Sequence, residues 1–156
     1  SRYIPGRGVL GFRCDPYTTA MTLVIKALSL LLALATANPN SWQSVVDDPD
    51  KGLMFWNDPY HLIIADHSSQ GFSNLSDIEI GDRAQLHWED GTITVYRCMD
   101  IQPGYNEGAV HYSDGTCAEN IYDLMCYTCT EDGVIIVGFE RVETRRTEKC
   151  PKLLPQ

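Results

Sequence analysis

From Gly52 onward the sequence divides into short apolar runs separated by turn residues, and this pattern limits the possible folds more than any other feature. The runs are rich in Val, Ile, Tyr and Phe, which favour strands. Two of the turns, at 90–91 and 132–133, carry Asp-Gly, which adopts the positive φ angles of a tight hairpin. The pattern predicts a mainly β fold, a barrel or a sandwich rather than a parallel sheet. The predicted strands lie near 61–66, 82–88, 92–101, 123–129 and 134–142.

The segment MTLVIKALSLLLALATA, residues 21–37, does not follow that pattern. Its polar or small residues recur four, three, four and three positions apart, which would place them on one stripe of a helix. We therefore predict a largely buried helix over 18–37. The alternative is an uncleaved secretory signal or a membrane anchor, because Lys26, the apolar run and Ala-Thr-Ala resemble a signal peptide and the length is near the lower limit for a span. The flanking sequence predicts a strand at 9–14 and a short helix at WQSVV.

The length of the chain limits its domain organisation, and its charge limits the classes of binding partner. A chain of 156 residues is predicted to form a single domain, with an N-terminal segment at 1–51, a core at 52–142 and a C-terminal tail at 143–156. Its 12 basic and 21 acidic residues give a net charge of −9. Such a charge excludes nucleic acid and an anionic membrane surface as generic partners.

Six cysteines, an even number in a chain of this size, suggest disulfides and an oxidising compartment, although sequence alone does not reveal the connectivity. Cys126 and Cys129 form a Cys-x-x-Cys, but residues three apart on a strand point to opposite faces, which disfavours a shared zinc ion. Several acidic residues surround turns, and we interpret them as a solvated face rather than a calcium site. They are Asp47, Asp48, Asp50, Asp58 and Asp66. No metal ion or cofactor is predicted.

His67 and Cys129 are the candidate catalytic residues. Each comes at the end of an apolar run, HLIIAD and DLMCYT, where a side chain can meet a cleft. A thiol is a weak nucleophile until it is ionised, and a neighbouring imidazole can accept its proton. Residue spacing alone leaves two interpretations open: a Cys–His pair, or a structural cysteine and a surface histidine.

Three segments together resemble the sortases, the cysteine transpeptidases of Gram-positive cell surfaces. They are IIADH, FSNLSDIEIGD, and LMCYTCT before VIIVGFERV, and they span about residues 52–142. The resemblance implies a closed, mostly antiparallel β-barrel, here with an added N-terminal helix, and implies that His67 and Cys129 are the catalytic residues. It also implies an extracellular or cell-surface location.

Three departures from the sortase pattern stand out. Asp66 replaces the glycine that usually precedes the histidine, and a carboxylate there would favour imidazolium. The N-terminal third does not look like the strands that open a sortase barrel. No arginine begins the strand after Cys129, and if that cysteine faces Ile136 then Arg141 lies roughly 17 Å further along. Another arginine would have to serve, or the chain lacks one; the candidates are Arg7, Arg13, Arg83 and Arg97.

The resemblance implies a cysteine transpeptidase or peptidase that acts on a sorting peptide of a surface protein. Two alternatives remain: an inactive sortase-fold module that binds a peptide or a surface protein, and a secreted domain stabilised by disulfides that include Cys129. Membrane anchoring is not favoured, and the sequence does not predict the oligomeric state.

Overall fold

The computed structural model of the chain describes residues 20–26 and 30–146. The predicted strand at 9–14 and the last ten residues of the predicted tail lie outside the described residues. The described part forms nine strands and one short α-helix. They are β1 Ala20–Ile25, β2 Leu30–Ala35, α1 Trp42–Val46, β3 Gly52–Asp58, β4 His61–Ala65, β5 Arg83–Trp88, β6 Thr92–Glu107, β7 Ala109–Tyr112, β8 Leu124–Thr130 and β9 Gly133–Arg146.

The helix predicted over 18–37 is wrong, because the described residues of that segment form the hairpin β1–β2. The two strands pair antiparallel, with Ile25 opposite Leu30. Along β2 every second leucine is buried, while Leu31 is exposed. This two-residue alternation is typical of a strand with one covered face. An almost continuous apolar run hides that alternation in the sequence, and its sparse polar residues fitted a helical stripe by coincidence.

Both Asp-Gly hairpins are confirmed. β5 and β6 pair antiparallel around Gly91, and β8 and β9 pair antiparallel beside Gly133. Both glycines have positive φ angles, 92° and 146°, which residues with a side chain rarely adopt. All five predicted strands are present as β4, β5, β6, β8 and β9, and the predicted short helix is α1. The single-domain organisation remains a prediction.

One sheet contains all nine strands, in the order β5-β1-β2-β3-β4-β8-β9-β6-β7. β5 also pairs with β6, so backbone pairing continues around eight strands and returns to β5. The main core fills one side of these strands and contains Leu23, Leu62, Phe72 and Phe139. A smaller cluster covers the other side of β4, β8 and β9, and it includes Ile63, Met125 and Ile136. We call the side with the smaller cluster the outer face.

Candidate active site

β4 and β8 are neighbouring parallel strands, and this pairing brings the ends of the two candidate segments together. Leu62 pairs with Leu124 and Ala65 with Tyr127, a constant offset of 62 residues. The same offset separates His67 from Cys129. The last paired positions are Ala65 and Tyr127, and His67 and Cys129 each follow them by two residues, near the ends of the two strands.

Cys129 lies on the outer face of β8. Residues alternate between the two sides of a strand, and Cys126 is fully buried in the main core whereas Met125 belongs to the outer cluster. Cys129 follows Met125 and Tyr127 on that side and is exposed. Cys126 and Cys129 thus point to opposite faces, as their spacing predicted.

The ring of His67 contacts Asp47, a residue that the sequence analysis assigned only to a solvated face. His67 Nε2 lies 2.8 Å from Asp47 Oδ1, and Gln43 Nε2 donates to the same oxygen at 2.9 Å. These hydrogen bonds, the one from His67 first, lower the pKa of the Asp47 carboxyl. The interpretation of Asp47 as part of a solvated face is therefore incomplete. Twenty residues separate Asp47 from His67 in the chain, and no motif links them.

Asp66 orders the backbone of the turn that carries His67. Its side chain is buried, and its two oxygens accept the N–H groups of His67 at 2.8 Å and Gly71 at 3.0 Å. Burial raises the pKa of Asp66, and these hydrogen bonds offset part of that effect. The carboxylate that the sequence placed beside the imidazole thus binds backbone N–H groups, and Asp47 binds the ring.

A groove of about 480 Å³ runs along the outer face, and its lining includes Tyr127, two residues before Cys129 on β8. Leu53, Phe55 and Tyr127 contribute to its floor, because they project to that face of β3 and β8. α1 forms one side, where the Trp42 ring stacks on Phe55 with centroids 4.2 Å apart. The turn between β6 and β7 lines the groove as well. Among the described lining residues only Glu119 is charged, and its carboxylate accepts the Val110 N–H at 2.9 Å.

No arginine of the described residues lies at the end of the sheet where Cys129 is found. Cys129 pairs with Val134 rather than with Ile136, because the turn is Glu131-Asp132. Arg141 is therefore seven residues further along β9, about 23 Å away. Its backbone N–H donates to Asp123, beside the opposite end of β8.

None of the other candidate arginines that the structure describes lies beside Cys129. Arg97 pairs with Glu140 in the sheet and forms an ion pair with it at 2.6 Å, and Arg83 pairs with Arg97 on the next strand. Arg7 and Arg13 lie outside the described residues. Among the described residues, Lys51, just before β3, is the positively charged residue nearest in sequence to Asp47.

The cysteines within 20–26 and 30–146 are not bonded to one another. Cys98 and Cys126 are buried, Cys117 is partly buried and Cys129 is exposed, all four as free thiols. Burial raises the pKa of Cys98 to about 11 and also raises that of Cys126. Cys14 and Cys150 lie outside the described residues. In the described part of the chain, no helix has the length and apolar character needed to cross a membrane.

Solved structures of sortases align with most of this chain. A sortase from Actinomyces oris is 13% identical, with a TM-score of 0.61 over 88% of this chain and 88% of that chain. Sortase A from Listeria monocytogenes is 14% identical, with a TM-score of 0.58 over 84% of this chain and 93% of that chain. Sortase E from Streptomyces avermitilis is 12% identical, with a TM-score of 0.55 over 85% and 97%.

No family model matches the chain, and no curated protein matches it. The structural likeness shows that this is a mainly β protein with a sortase fold, as the sequence resemblance predicted. It extends beyond 52–142, because β1 and β2 supply strands in the N-terminal third, where the sequence did not suggest them.

Proposed function

We propose that this protein is a thiol acyl-transferase or peptidase in which Cys129 is the nucleophile and His67 the general acid and base. The observation that supports the proposal is the parallel pairing of β4 with β8, after whose last paired positions His67 and Cys129 each follow by two residues. The exposure of Cys129 supports it, because a nucleophile must reach a substrate carbonyl.

The chemistry would use these two groups, a peptide, and an incoming amine or water. The Cys129 sulfur would bond to a backbone carbonyl carbon, and the C–N bond of the peptide would break. His67 would give its proton to the leaving amine. An incoming amine or water would then lose a proton to His67 and attack the thioester, which releases the acyl group and restores the thiolate.

The groove on the outer face supports a peptide substrate. Its lining combines apolar side chains such as Leu53 and Phe55 with polar ones such as Asn106, a mixture that suits an extended peptide with some apolar side chains. We infer that this peptide belongs to a surface protein and that the enzyme acts outside the cell or at its surface, as the sortase likeness suggests. The pairing of β5 with both β1 and β6 supports a closed barrel around the main core.

Trapping the thioester tests the proposal. The protein is incubated with a library of apolar peptides, and intact-mass and peptide-mapping spectrometry are used to search for an acyl adduct. The proposal expects an adduct on Cys129 that hydroxylamine removes and that Cys129→Ala lacks. The His67→Ala variant should form it far more slowly. A library that binds in the groove and leaves no adduct would count against an enzyme.

A second function, a peptide-binding module without turnover, is favoured by one observation. No arginine of the described residues lies beside Cys129, so a cationic donor for the oxyanion is missing from the place where the sortase pattern has one. Loss of one such donor typically lowers kcat by about 10²–10³-fold. If the protein is such a binding module, wild type and Cys129→Ala would bind the same peptides with equal affinity, and neither would form an adduct.

A further inference from the structure

We propose that Asp47 is a positioning residue for His67, so that the site is a Cys129–His67–Asp47 arrangement. The inference rests on the proposed function and names the group that would orient its imidazole. It starts from the 2.8 Å contact between Asp47 Oδ1 and His67 Nε2. A neutral imidazole that donates from Nε2 has its other nitrogen, Nδ1, free to accept a proton. Asp47 thereby selects the tautomer whose Nδ1 can take the proton of the thiol.

Asp47 is itself held in place by α1. Its backbone N–H donates to the Gln43 carbonyl at 2.9 Å, and the Gln43 side chain donates to its carboxylate. The start of α1 is anchored by Trp42, whose Nε1 donates to the Ala37 carbonyl at 2.9 Å and whose ring stacks on Phe55. The carboxylate therefore sits at the end of a fixed helical turn.

The same segment forms part of the peptide groove. Trp42, Gln43 and Val46 line the groove, and Asp47 comes directly after them. A peptide that packs against α1 would therefore press on the element that holds the imidazole. Substrate binding and the orientation of His67 would be coupled through one short helix.

The electrostatics of the contact suit this role. Hydrogen bonding keeps the pKa of Asp47 below its usual value, so that the group is an anion at neutral pH. The carboxylate therefore offers His67 Nε2 a charged hydrogen-bond acceptor, which holds the ring in one orientation. Both side chains are partly exposed, 34% for His67 and 56% for Asp47, so salt screens the interaction.

Thiol labelling tests the proposal. Iodoacetamide labelling of each cysteine is followed by mass spectrometry at pH 7 and low salt, with Cys117 as the internal reference. Asp47→Asn should slow labelling of Cys129 by about two- to fivefold, the size expected for an exposed charge pair. High salt should shrink that difference. Asp48→Asn is the matched control, since it removes the same charge one residue away, and it should label at the wild-type rate.

A double variant separates positioning from a merely structural role. Asp47→Asn should have no effect on labelling in a His67→Ala background if it acts through the imidazole. ¹⁵N spectra of His67 should show a proton on Nε2 in the wild type and a mixture of tautomers in Asp47→Asn. Asp47→Asn should unfold at the same temperature as Asp48→Asn.

The outcomes distinguish the two proposals. If His67→Ala slows labelling but Asp47→Asn labels like Asp48→Asn, the role of Asp47 is overturned and the proposed function stands. The role of Asp47 is overturned in the same way if Asp47→Asn slows wild type and His67→Ala equally. If His67→Ala itself labels at the wild-type rate, the Cys–His pair is overturned, and the positioning role with it.

Discussion

The N–H of Gly71 donates a hydrogen bond to Asp66 Oδ2 at 3.0 Å and closes the turn that carries His67. A Cβ on Gly71 would lie 2.5 Å from that oxygen and 2.3 Å from Leu32 Cδ1. Asp66 and Leu32 are both buried, so neither can easily move away. The turn thus depends on a glycine for space rather than for an unusual φ angle.

We expect Gly71→Ala to lower the free energy of unfolding by about 1–3 kcal/mol, the usual cost of overpacking. It should also slow the labelling of Cys129, because the turn that places His67 must shift. Gly81→Ala is the control: Gly81 has a φ of 95° but open space around its Cβ position. Urea unfolding and labelling rates measure both variants. Equal labelling in the two variants would refute the role of the turn.

The buried carboxyl of Asp66 predicts a pH dependence of stability. Because burial raises the pKa of Asp66, the native state binds its proton more tightly than the unfolded state. Its stabilising contribution is then complete below the unfolded pKa of about 3.9 and is lost as pH rises through the folded pKa. Across that range the wild type should lose stability relative to Asp66→Asn. Urea unfolding of both proteins from about pH 3.5 to 7 tests this, and a constant difference would contradict it.

The parts of the fold that the sequence predicted are those set by local chemistry. Asp-Gly and strand alternation act within about ten residues, and both hairpins formed as expected. The β1–β2 hairpin was missed because its residues are apolar on both faces and because Lys26, at the end of β1, is an unusual residue to adopt a positive φ of 56°. In the β8–β9 hairpin the predicted pairing was wrong by two residues. Cys129 pairs with Val134 rather than with Ile136, because the turn precedes Gly133.

The same distinction applies to the candidate site: its local features were predicted from the sequence, and its contacts between distant segments were not. His67 and Cys129 each end an apolar strand, a feature that the sequence carries. The parallel pairing of β4 with β8, which precedes both residues, is encoded by no local pattern. The contact of Asp47 with His67 was missed for the same reason, since it exists only after β2, α1 and β3 have packed.

The stacking of Trp42 on Phe55 predicts a link between helix anchoring and peptide binding. Trp42→Ala should lower the free energy of unfolding by about 1–2 kcal/mol, because an aromatic pair and partly buried area are lost. A peptide that protects Cys129 from labelling should protect this variant less, since one side of the groove is gone. Trp42→Phe retains the ring and should protect nearly as well as wild type. Undiminished protection in Trp42→Ala would place the peptide elsewhere.

The position of Arg141 predicts that it takes no part in the chemistry. The residue is exposed, and about 23 Å of strand separates it from the level of Cys129. Arg141→Ala should change the free energy of unfolding by no more than about 0.5 kcal/mol. It should leave the labelling of Cys129 and the yield of its acyl adduct unchanged, whereas Cys129→Ala abolishes both. A large loss of adduct in Arg141→Ala would show that the arginine reaches the site.

The most direct measurement of the central claim is the labelling rate of Cys129 by iodoacetamide at pH 7, in wild type and in His67→Ala. Mass spectrometry resolves each cysteine, and Cys117 corrects for differences in reagent and folding. If the imidazole accepts the thiol proton, the variant should label Cys129 at least about tenfold more slowly while Cys117 is unchanged. Equal rates for Cys129 in the two proteins would contradict the Cys–His pair and leave a sortase fold without the proposed nucleophile.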